Sequence, residues 1–299
     1  MTRVIGRPGD RAAVRSLRLD DVIATYVVDG VLAMKPTAFF PGIPSDYWTS
    51  RPQLLTARGE MLMSAGGLLI ERDDKMLLID TGVGTTTTDF EFGGVDCGSL
   101  LDVLNRLDRR PEDIDVVAFT HLHFDHAGWA FTNGTKTFPN ARYMLAAQEW
   151  ASCANDDHRG THVPGRVIRN LAAGIASVDL IDDGDEIFPG VRAVVTPGHS
   201  PGHTSYVMTA RSGHRLVAFG DAFHTPAQLG HPAWTSAADS DVQRVQGARW
   251  RLLAELVKPD TIGFGFHFGD QPFGRVTTDD AGQVTWEPVS TSVLAPPPR

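Results

Sequence analysis

Short apolar runs alternate with polar turns along the first half of the chain. Residues 23–34 predict a strand that breaks at Asp29-Gly30, a dipeptide typical of hairpins. Residues 66–82 predict two apolar strands around a polar turn, and the second of them ends at Asp80. A short buried strand is expected over residues 114–120. The first half of the chain is therefore rich in predicted strands.

The second half repeats this pattern. We expect a strand over residues 190–200, a hairpin of apolar strands over 204–221 and a final strand over 261–269. Helices are expected over 99–107, 145–152, 165–176 and 240–257, the last of them capped by Asp239 or Ser240. Two sheet-rich halves that each carry helices indicate an α/β architecture, in which functional side chains converge at strand ends.

The N-terminal 60 residues differ from the rest. The stretch through about Asp20 is polar and charged, and we expect it to be loosely held. Residues 35–50 hold three prolines and four aromatic residues, which argues against a regular helix or a central strand. Two interpretations stay open for this stretch: an arm packed on the core, or a lid over a site. We predict one domain over residues 1–299, with 1–60 as an N-terminal arm.

Composition narrows the class of protein. The 299 residues carry a formal net charge of −9, which argues against a nucleic-acid partner because phosphate binding needs a basic face. No apolar run approaches the roughly 20 residues that span a bilayer, so no membrane partner is expected. With two cysteines and no apolar leader at its N-terminus, the chain is expected in the reducing cytoplasm.

Residues 120–129, THLHFDHAGW, hold three of the eleven histidines of the chain. Imidazoles bury poorly unless they are hydrogen-bonded or bound to a metal. Side chains alternate in an extended segment, so His121, His123 and Asp125 would share one face. A helix that starts after Asp125 would turn His126 into the same cavity. Two neighbouring groups of donors suit two metal ions better than one.

Further donors stand at other strand ends. His199 and His203 lie in the turn TPGHSPGHT, and Asp221 follows an apolar strand directly. His267 lies within a late apolar run, where a lone histidine is more often a core residue; its value comes from belonging to a set.

The motifs HLHFDH, PGHSPGH, GDAF and GFHF, in this order, resemble those of the metallo-β-lactamase fold hydrolases. The resemblance runs from about Gly66 to His267 and includes the turn at Asp80. It implies an α/β fold of the αββα sandwich type, with two mixed β-sheets packed face to face and helices on the outer faces.

The resemblance also implies a set of ligands for two divalent metal ions. The first ion would be held by His121, His123 and His199. The second would be held by Asp125, His126 and His267, with Asp221 bridging the two ions. His203 and Asp80 would orient these ligands from behind.

The donors are nitrogen and oxygen atoms without a thiolate, which suits zinc first and leaves iron, manganese or cobalt as alternatives. Two such ions would acidify a bridging water toward hydroxide at neutral pH, and this hydroxide is the expected attacking group. Asp125 is the candidate for moving a proton when the intermediate collapses.

Departures within the superfamily narrow the function. Asp221 stands where one class of β-lactamases usually carries cysteine, and His123 stands where the oxygen-reducing di-iron members carry glutamate. The chain is most similar to the N-acyl homoserine lactonases and methyl parathion hydrolases. Several lactonases carry a tyrosine three positions after the bridging aspartate, where it supports the substrate carbonyl. Here that position is His224, a second candidate catalytic residue that can still donate a hydrogen bond.

We therefore expect a dinuclear metal-dependent hydrolase that opens a lactone or cleaves a related carboxylic ester. A thioesterase, an organophosphate triester hydrolase and a non-catalytic metal-binding module are the alternatives. Aromatic residues of the arm and near the motif predict an apolar pocket for the acyl or aromatic part of a small-molecule substrate: Phe39, Phe40, Trp48, Trp129 and Phe268. Phe264 and Phe266 are expected in the core. A homodimer formed through the arm is one option.

Overall fold

Two β-sheets form the centre of the fold. The computed structural model describes residues 3–90, 92–154, 169–171, 177–280 and 282–294. Within these ranges, eleven strands form the first sheet: β1 (Arg3–Val4), β2 (Arg15–Leu19), β3 (Val22–Met34), β4 (Met61–Arg72), β5 (Lys75–Ile79), β6 (Thr86–Phe90), β7 (Gly93–Cys97), β8 (Val116–Ala118), β11 (Arg142–Ala146), β12 (Val178–Ile181) and β20 (Thr291–Val293).

The second sheet has seven strands in the described part of the chain: β13 (Glu186–Phe188), β14 (Val191–Val195), β15 (Thr204–Thr209), β16 (Arg215–Ala218), β17 (Thr261–Phe264), β18 (Phe273–Thr278) and β19 (Val284–Pro288). They lie side by side in this order. The first sheet runs β1-β20-β2-β3-β4-β5-β8-β11-β12, with β7 added on β3 and β6 on β7. A small hairpin joins β9 (Phe131–Thr132) to β10 (Thr135–Lys136).

The described helices with given bounds are α1 (Pro36–Phe39), α2 (Ser45–Thr49), α3 (Leu100–Arg106), α4 (Phe124–Ala127), α5 (Ala147–Ala154), α6 (Ala227–Gly230) and α7 (Val242–Leu256). Buried residues of α3 join the core on the outer face of the first sheet, and those of α7 join the core on the outer face of the second. The expected αββα sandwich is confirmed.

Alternation along single strands explains why both faces of a sheet are covered. In β4, Leu68 and Ile70 point into the core between the two sheets, whereas Leu69 points to the helical side. In β5, Leu77 and Leu78 divide in the same way. Successive side chains of a strand point to opposite faces, so the continuous apolar runs seen in the sequence are those of strands buried on both sides.

Parallel strand pairs bring the chemically interesting residues to one edge. In the first sheet β5 pairs with β8 in parallel, with Ile79 beside Ala118. In the second sheet β16 pairs with β17 in parallel, with Ala218 beside Phe264. The loops that follow these four strands therefore lie close together, as expected for a site at strand ends.

The predicted hairpin at Asp29-Gly30 is wrong. Strand β3 is continuous through this point and has only a register shift between Val28 and Gly30. The buried Asp29 does not form a turn. Its carboxylate connects β3 to two other segments, because it accepts hydrogen bonds from the backbone N–H groups of Val83, Gly84 and Leu100.

The stretch before Asp20 is not loosely held. Strand β2 pairs with β3, and the buried Arg15 donates two hydrogen bonds to the carboxylate of Asp270, at 2.8 and 2.6 Å. Strand β2 lies between β20 and β3 in the first sheet, and the charge pairing lets Arg15 stay buried there. Residues 35–50 hold two short helices, α1 and α2, and no strand.

Two further boundaries differ from expectation, and one prediction is not tested. Helix α7 is capped by Asp241, whose carboxylate accepts hydrogen bonds from the backbone N–H groups of Gln243 and Arg244; Asp239 and Ser240 lie before the cap. Strand β17 ends at Phe264, so His267 lies in the turn beyond it. The predicted helix over 165–176 lies outside the described residues, apart from 169–171. None of the helices in the described ranges is long and apolar enough to cross a membrane.

Candidate metal centre

The segment after β8 supplies the first donors. His121 lies in the loop before α4, and α4 starts at Phe124, with His123 in extended backbone just before its first turn. The expected extended run through Asp125 is therefore wrong by two residues. Asp125 and His126 reach the cavity from the first turn of α4 instead, and both are buried.

A first group of donors consists of His121, His123, His199 and Asp221, whose ligand atoms all lie within 4.8 Å of one another. His199 Nε2 lies 2.9 Å from His123 Nδ1 and 3.3 Å from Asp221 Oδ2. His121 Nε2 lies 3.7 Å from the same carboxylate oxygen.

A second group consists of Asp125, His126, Asp221 and His267, again within 4.8 Å. His267 Nε2 and His126 Nε2 lie 3.0 and 3.2 Å from Asp221 Oδ1. Asp221 thus belongs to both groups, and it presents Oδ2 to the first and Oδ1 to the second. The structure brings together all seven residues that the sequence suggested as metal ligands.

The remaining ring nitrogens fix the histidine tautomers. His126 Nδ1 donates to Asp80 Oδ2 at 2.8 Å, and His267 Nδ1 donates to the backbone carbonyl of Ser64 at 2.8 Å. Thr120 Oγ1 gives its proton to Asp80, so it accepts from His121 Nδ1 at 2.9 Å. Each of these rings therefore holds a proton on Nδ1 and turns Nε2 into the cavity, as a ligand histidine does.

Unpartnered atoms show that this cavity fits metal ions. In the described part of the chain, His121 Nε2, His126 Nε2, His267 Nε2 and Asp221 Oδ1 are buried without a hydrogen-bond partner. Unpaired buried polar atoms are rare and costly. Nitrogen and oxygen donors that converge in this way are the donor set of zinc and similar divalent ions.

Electrostatics favour the metal-binding forms of His121 and Asp221. Burial and the neighbouring charges of His126 and His123 hold the pKa of His121 well below its ordinary value, so this imidazole is neutral. Burial alone would raise the pKa of Asp221, but the charges of His126 and His267 hold it well below its ordinary value. A neutral imidazole and an ionised carboxylate are the forms that bind metal.

His203 lies behind the site rather than in it. Its Nε2 accepts a hydrogen bond from the backbone N–H of Asp221 at 2.9 Å, and its Nδ1 lies 3.1 Å from the carbonyl oxygen of Thr196. With both nitrogens engaged, His203 holds the backbone of Asp221.

Two buried carboxylates escaped the sequence interpretation. Glu149 of α5 accepts hydrogen bonds from the backbone N–H groups of Leu122 and Gly202 and from the Ser200 hydroxyl, and so ties two donor loops together. Asp239, expected as a helix cap, has its Oδ1 3.2 Å from His199 Nδ1. A lone acid in a helix and an acid before a helix look like surface residues in a sequence, so little could have revealed them.

His224 is buried at the edge of the site, and neither ring nitrogen has a hydrogen-bond partner among the described residues. Its Nε2 lies 3.2 Å from Asp221 Oδ2. The rings of Phe39 and Phe40 in the N-terminal arm lie edge-on to it, with centroids at 5.5 and 6.2 Å. The arm therefore reaches the site.

Two cavities meet at His224 and His267. The smaller, of about 50 Å³, touches both donor groups and is otherwise mostly apolar: its walls include Leu32, Met34, Phe39, Met63, Phe92 and Phe124. The larger, of about 350 Å³, lies beside the same two histidines and includes Phe268 in its lining.

The other aromatic residues of the expected pocket lie elsewhere. Trp129 packs with the core on the α3 side and donates to Asp29, so its expected place at the mouth is wrong. Phe40 and Trp48 are buried in a cluster that packs the arm against β3, β4 and β7. Phe264 and Phe266 are core residues, as expected.

Comparison with protein families gives a match over residues 68–265, more than half of the chain, to the family described as the metallo-beta-lactamase superfamily. An N-acyl homoserine lactonase of Bacillus thuringiensis is 29% identical over 222 residues, which cover 70% of this chain and 83% of the relative. The N-acyl homoserine lactonase AiiB of Rhizobium rhizogenes is 27% identical over 148 residues, covering 47% and 51%.

Solved structures agree with the fold. The dizinc quorum-quenching lactonase AidC, in complex with a product, superposes with a TM-score of 0.81 at 21% identity and covers 94% of this chain and 99% of its own. The hydrolase AbOPH, described as belonging to the beta lactamase superfamily, gives a TM-score of 0.79 at 26% identity over 93% and 98% of the two chains.

Proposed function

The chain belongs to the metallo-beta-lactamase superfamily, and from this premise we propose that it is a dinuclear metal-dependent hydrolase that opens lactones or cleaves related carboxylic esters. The observation that carries the proposal is the position of Asp221, whose two carboxylate oxygens face two separate groups of donors. Two divalent ions bound there would activate water for attack and polarise the carbonyl under attack.

Zinc is the proposed metal. The two groups offer imidazole nitrogens and carboxylate oxygens, which suit zinc, and AidC is described as a dizinc enzyme. In the proposed assignment His121, His123 and His199 hold one ion, and Asp125, His126 and His267 hold the other. Asp221 serves both.

Two residues are proposed to act on the substrate. Asp125 lies at the wall of the small cavity and would carry a proton to the leaving oxygen. His224, whose ring nitrogens have no hydrogen-bond partner among the described residues, would donate an N–H to the substrate carbonyl. Burial lowers the pKa of His224, which favours a neutral ring with one proton to donate.

The walls of the small cavity support the substrate class. Phe39, Phe92 and Phe124 surround the space beside the donors, so it suits an apolar acyl or aromatic part of a small molecule. N-acyl homoserine lactones combine such a part with an ester bond in a ring, and relatives of the chain bear that name. A cytoplasmic location and a homodimer stay predictions of the sequence.

The test is a comparison of substrates on protein of known metal content. Purified protein should hold about two metal ions per chain and hydrolyse an N-acyl homoserine lactone faster than a thioester or a phosphotriester, and chelation should abolish the activity. Full activity in metal-free protein would refute the proposal. Faster turnover of the thioester or phosphotriester would replace the lactone by that substrate.

A further inference from the structure

A fully buried arginine lies beside the proposed metal centre without touching it. Arg249 extends from α7, and each nitrogen of its guanidinium donates a hydrogen bond. Nε donates to the carbonyl of Ala222 at 2.6 Å, and Nη1 donates to the carbonyls of Pro232 and Trp234 at 3.0 and 2.6 Å. Nη2 donates to Asp239 Oδ2 at 3.2 Å.

A charge in this position is expensive. Removing an ion pair from water costs several kcal/mol per ion, which is about as much as the attraction between the two ions restores. Proteins in which apolar residues replace a buried ion pair are often equally stable. Stability alone therefore gives a weak reason for Arg249. The rigid fork of a guanidinium can instead hold several acceptors in one geometry, which a lysine cannot do.

One acceptor of Arg249, Asp239, contacts a histidine of the first donor group. Asp239 Oδ2 accepts from Arg249 and from the backbone N–H of Ser236, so the plane of its carboxylate is set. Its other oxygen, Oδ1, faces His199 Nδ1 at 3.2 Å. A proton on His199 Nδ1 leaves Nε2 as the donor that faces His123 and Asp221.

The second donor group has separate supports. His126 is held by Asp80, and His267 is held by the carbonyl of Ser64. The backbone of Asp221 itself is held by His203. None of the hydrogen bonds described for Arg249 goes to these supports.

We propose that Arg249 is a positioning residue of the metal centre, which fixes the ring of His199 through Asp239 and thereby supports one of the two metal positions selectively. The proposal rests on the two-ion centre proposed above. The metal position that it supports is the one formed by His121, His123 and His199.

The test measures the two metal affinities separately. Zinc is titrated into metal-free protein against a chromophoric chelator, and the cobalt-loaded protein is followed by visible absorption. In Arg249→Lys, which keeps the charge and loses the fork, one dissociation constant should rise about 10–100-fold, as for other residues that orient metal ligands. The second dissociation constant should stay within about threefold of the wild-type value. The cobalt spectrum should change in the same direction as in His199→Ala.

Asp239→Asn is the second variant, and it keeps an acceptor in place of the carboxylate. It should weaken the same metal position, and it replaces Arg249→Lys as the deciding variant if that protein does not fold. Arg72→Lys is the matched control, because Arg72 also donates to two carbonyls, those of Pro189 and Thr209, and pairs with an aspartate, Asp21. It lies at the far end of β4 and should lose stability without losing metal affinity.

The outcomes separate the two proposals. Two unchanged dissociation constants in a folded Arg249→Lys or Asp239→Asn protein would overturn the positioning role while the metal centre stands. Equal weakening of both positions in a folded Arg249→Lys or Asp239→Asn protein would also overturn it, because the proposed support is selective for one position. A wild-type protein that binds no second ion would instead refute the dinuclear function.

Discussion

His126 Nδ1 lies 2.8 Å from Asp80 Oδ2, and both side chains are buried. The pair joins the end of β5 to the first turn of α4, and Asp80 also accepts from the backbone N–H of Thr120 at 2.8 Å. Burial opposes protonation of His126, but the charges of Asp221, Asp125 and Asp80 hold its pKa well above its ordinary value. One carboxylate therefore sets both the direction of the His126 ring and the path of the donor loop.

Asp80→Asn should weaken metal binding at the position that contains His126. Loss of a residue that orients a ligand costs about 10–100-fold in metal affinity. Zinc titration of the metal-free variant measures it. Asp73→Asn serves as the control, because Asp73 lies at the exposed turn between β4 and β5 and pairs with Arg211. Equal affinities in the Asp80 variant and the control would contradict the assigned role.

His224→Phe should lower kcat/KM for the lactone and keep two metal ions. Removing one hydrogen-bond donor to a developing oxyanion costs on the order of 100–1,000-fold, and His224 offers the unpartnered nitrogens at the cavity wall. Steady-state kinetics and elemental analysis of the same sample check both parts. A variant that loses one ion as well would indicate that His224 is a ligand, and unchanged kinetics would remove it from the mechanism.

Phe39→Ala should change substrate preference more than fold. Phe39 belongs to the arm, lines the small cavity and packs edge-on against His224. Removing its ring enlarges a cavity of only about 50 Å³, so kcat/KM should rise for long acyl chains relative to short ones. Phe131→Ala, a buried phenylalanine of the core beside α3, is the control for general destabilisation. The same chain-length profile in both variants would argue against a substrate-contacting arm.

Asp21→Asn should reduce the fall in the free energy of unfolding that accompanies a drop in pH. Burial opposes ionisation of Asp21, but the backbone N–H of Arg211 and the charge of Arg72 outweigh it, so its pKa is lowered. A carboxyl whose pKa is lower in the folded state stabilises the fold above its unfolded pKa of about 3.9, and this contribution is lost as pH falls. Urea unfolding of metal-free protein between pH 6 and pH 3 should show the wild type losing about 1 kcal/mol more than the variant. Parallel profiles would contradict this.

Local patterns predicted the parts of the site that depend on local spacing. HLHFDH contains four donors in six residues, and the donors His199, Asp221 and His267 follow apolar runs, so strand ends could be identified. The sheet order that brings these ends together follows from the resemblance, because nothing in one apolar run specifies its partner strand. The start of α4 at Phe124 was missed, since a four-residue helix has too short a pattern to detect.

Residues that act across long separations could not be predicted. Arg249 donates to the carbonyl of Ala222, 27 positions before it, and Glu149 lies 51 positions before Ser200 and 53 before Gly202. A charged residue on a helix ordinarily indicates a solvated face. Asp29-Gly30 was read as a hairpin for the same reason, because the four hydrogen bonds that bury Asp29 come from remote segments.

The most direct test of the two-ion centre is anomalous diffraction from crystals of the zinc-loaded protein, measured on both sides of the zinc absorption edge. The account predicts two peaks, one beside Asp221 Oδ2 among His121, His123 and His199, and one beside Asp221 Oδ1 among Asp125, His126 and His267. Each peak should lie about 2.0–2.2 Å from its carboxylate oxygen. A single peak, or two peaks that do not share Asp221, would contradict the account.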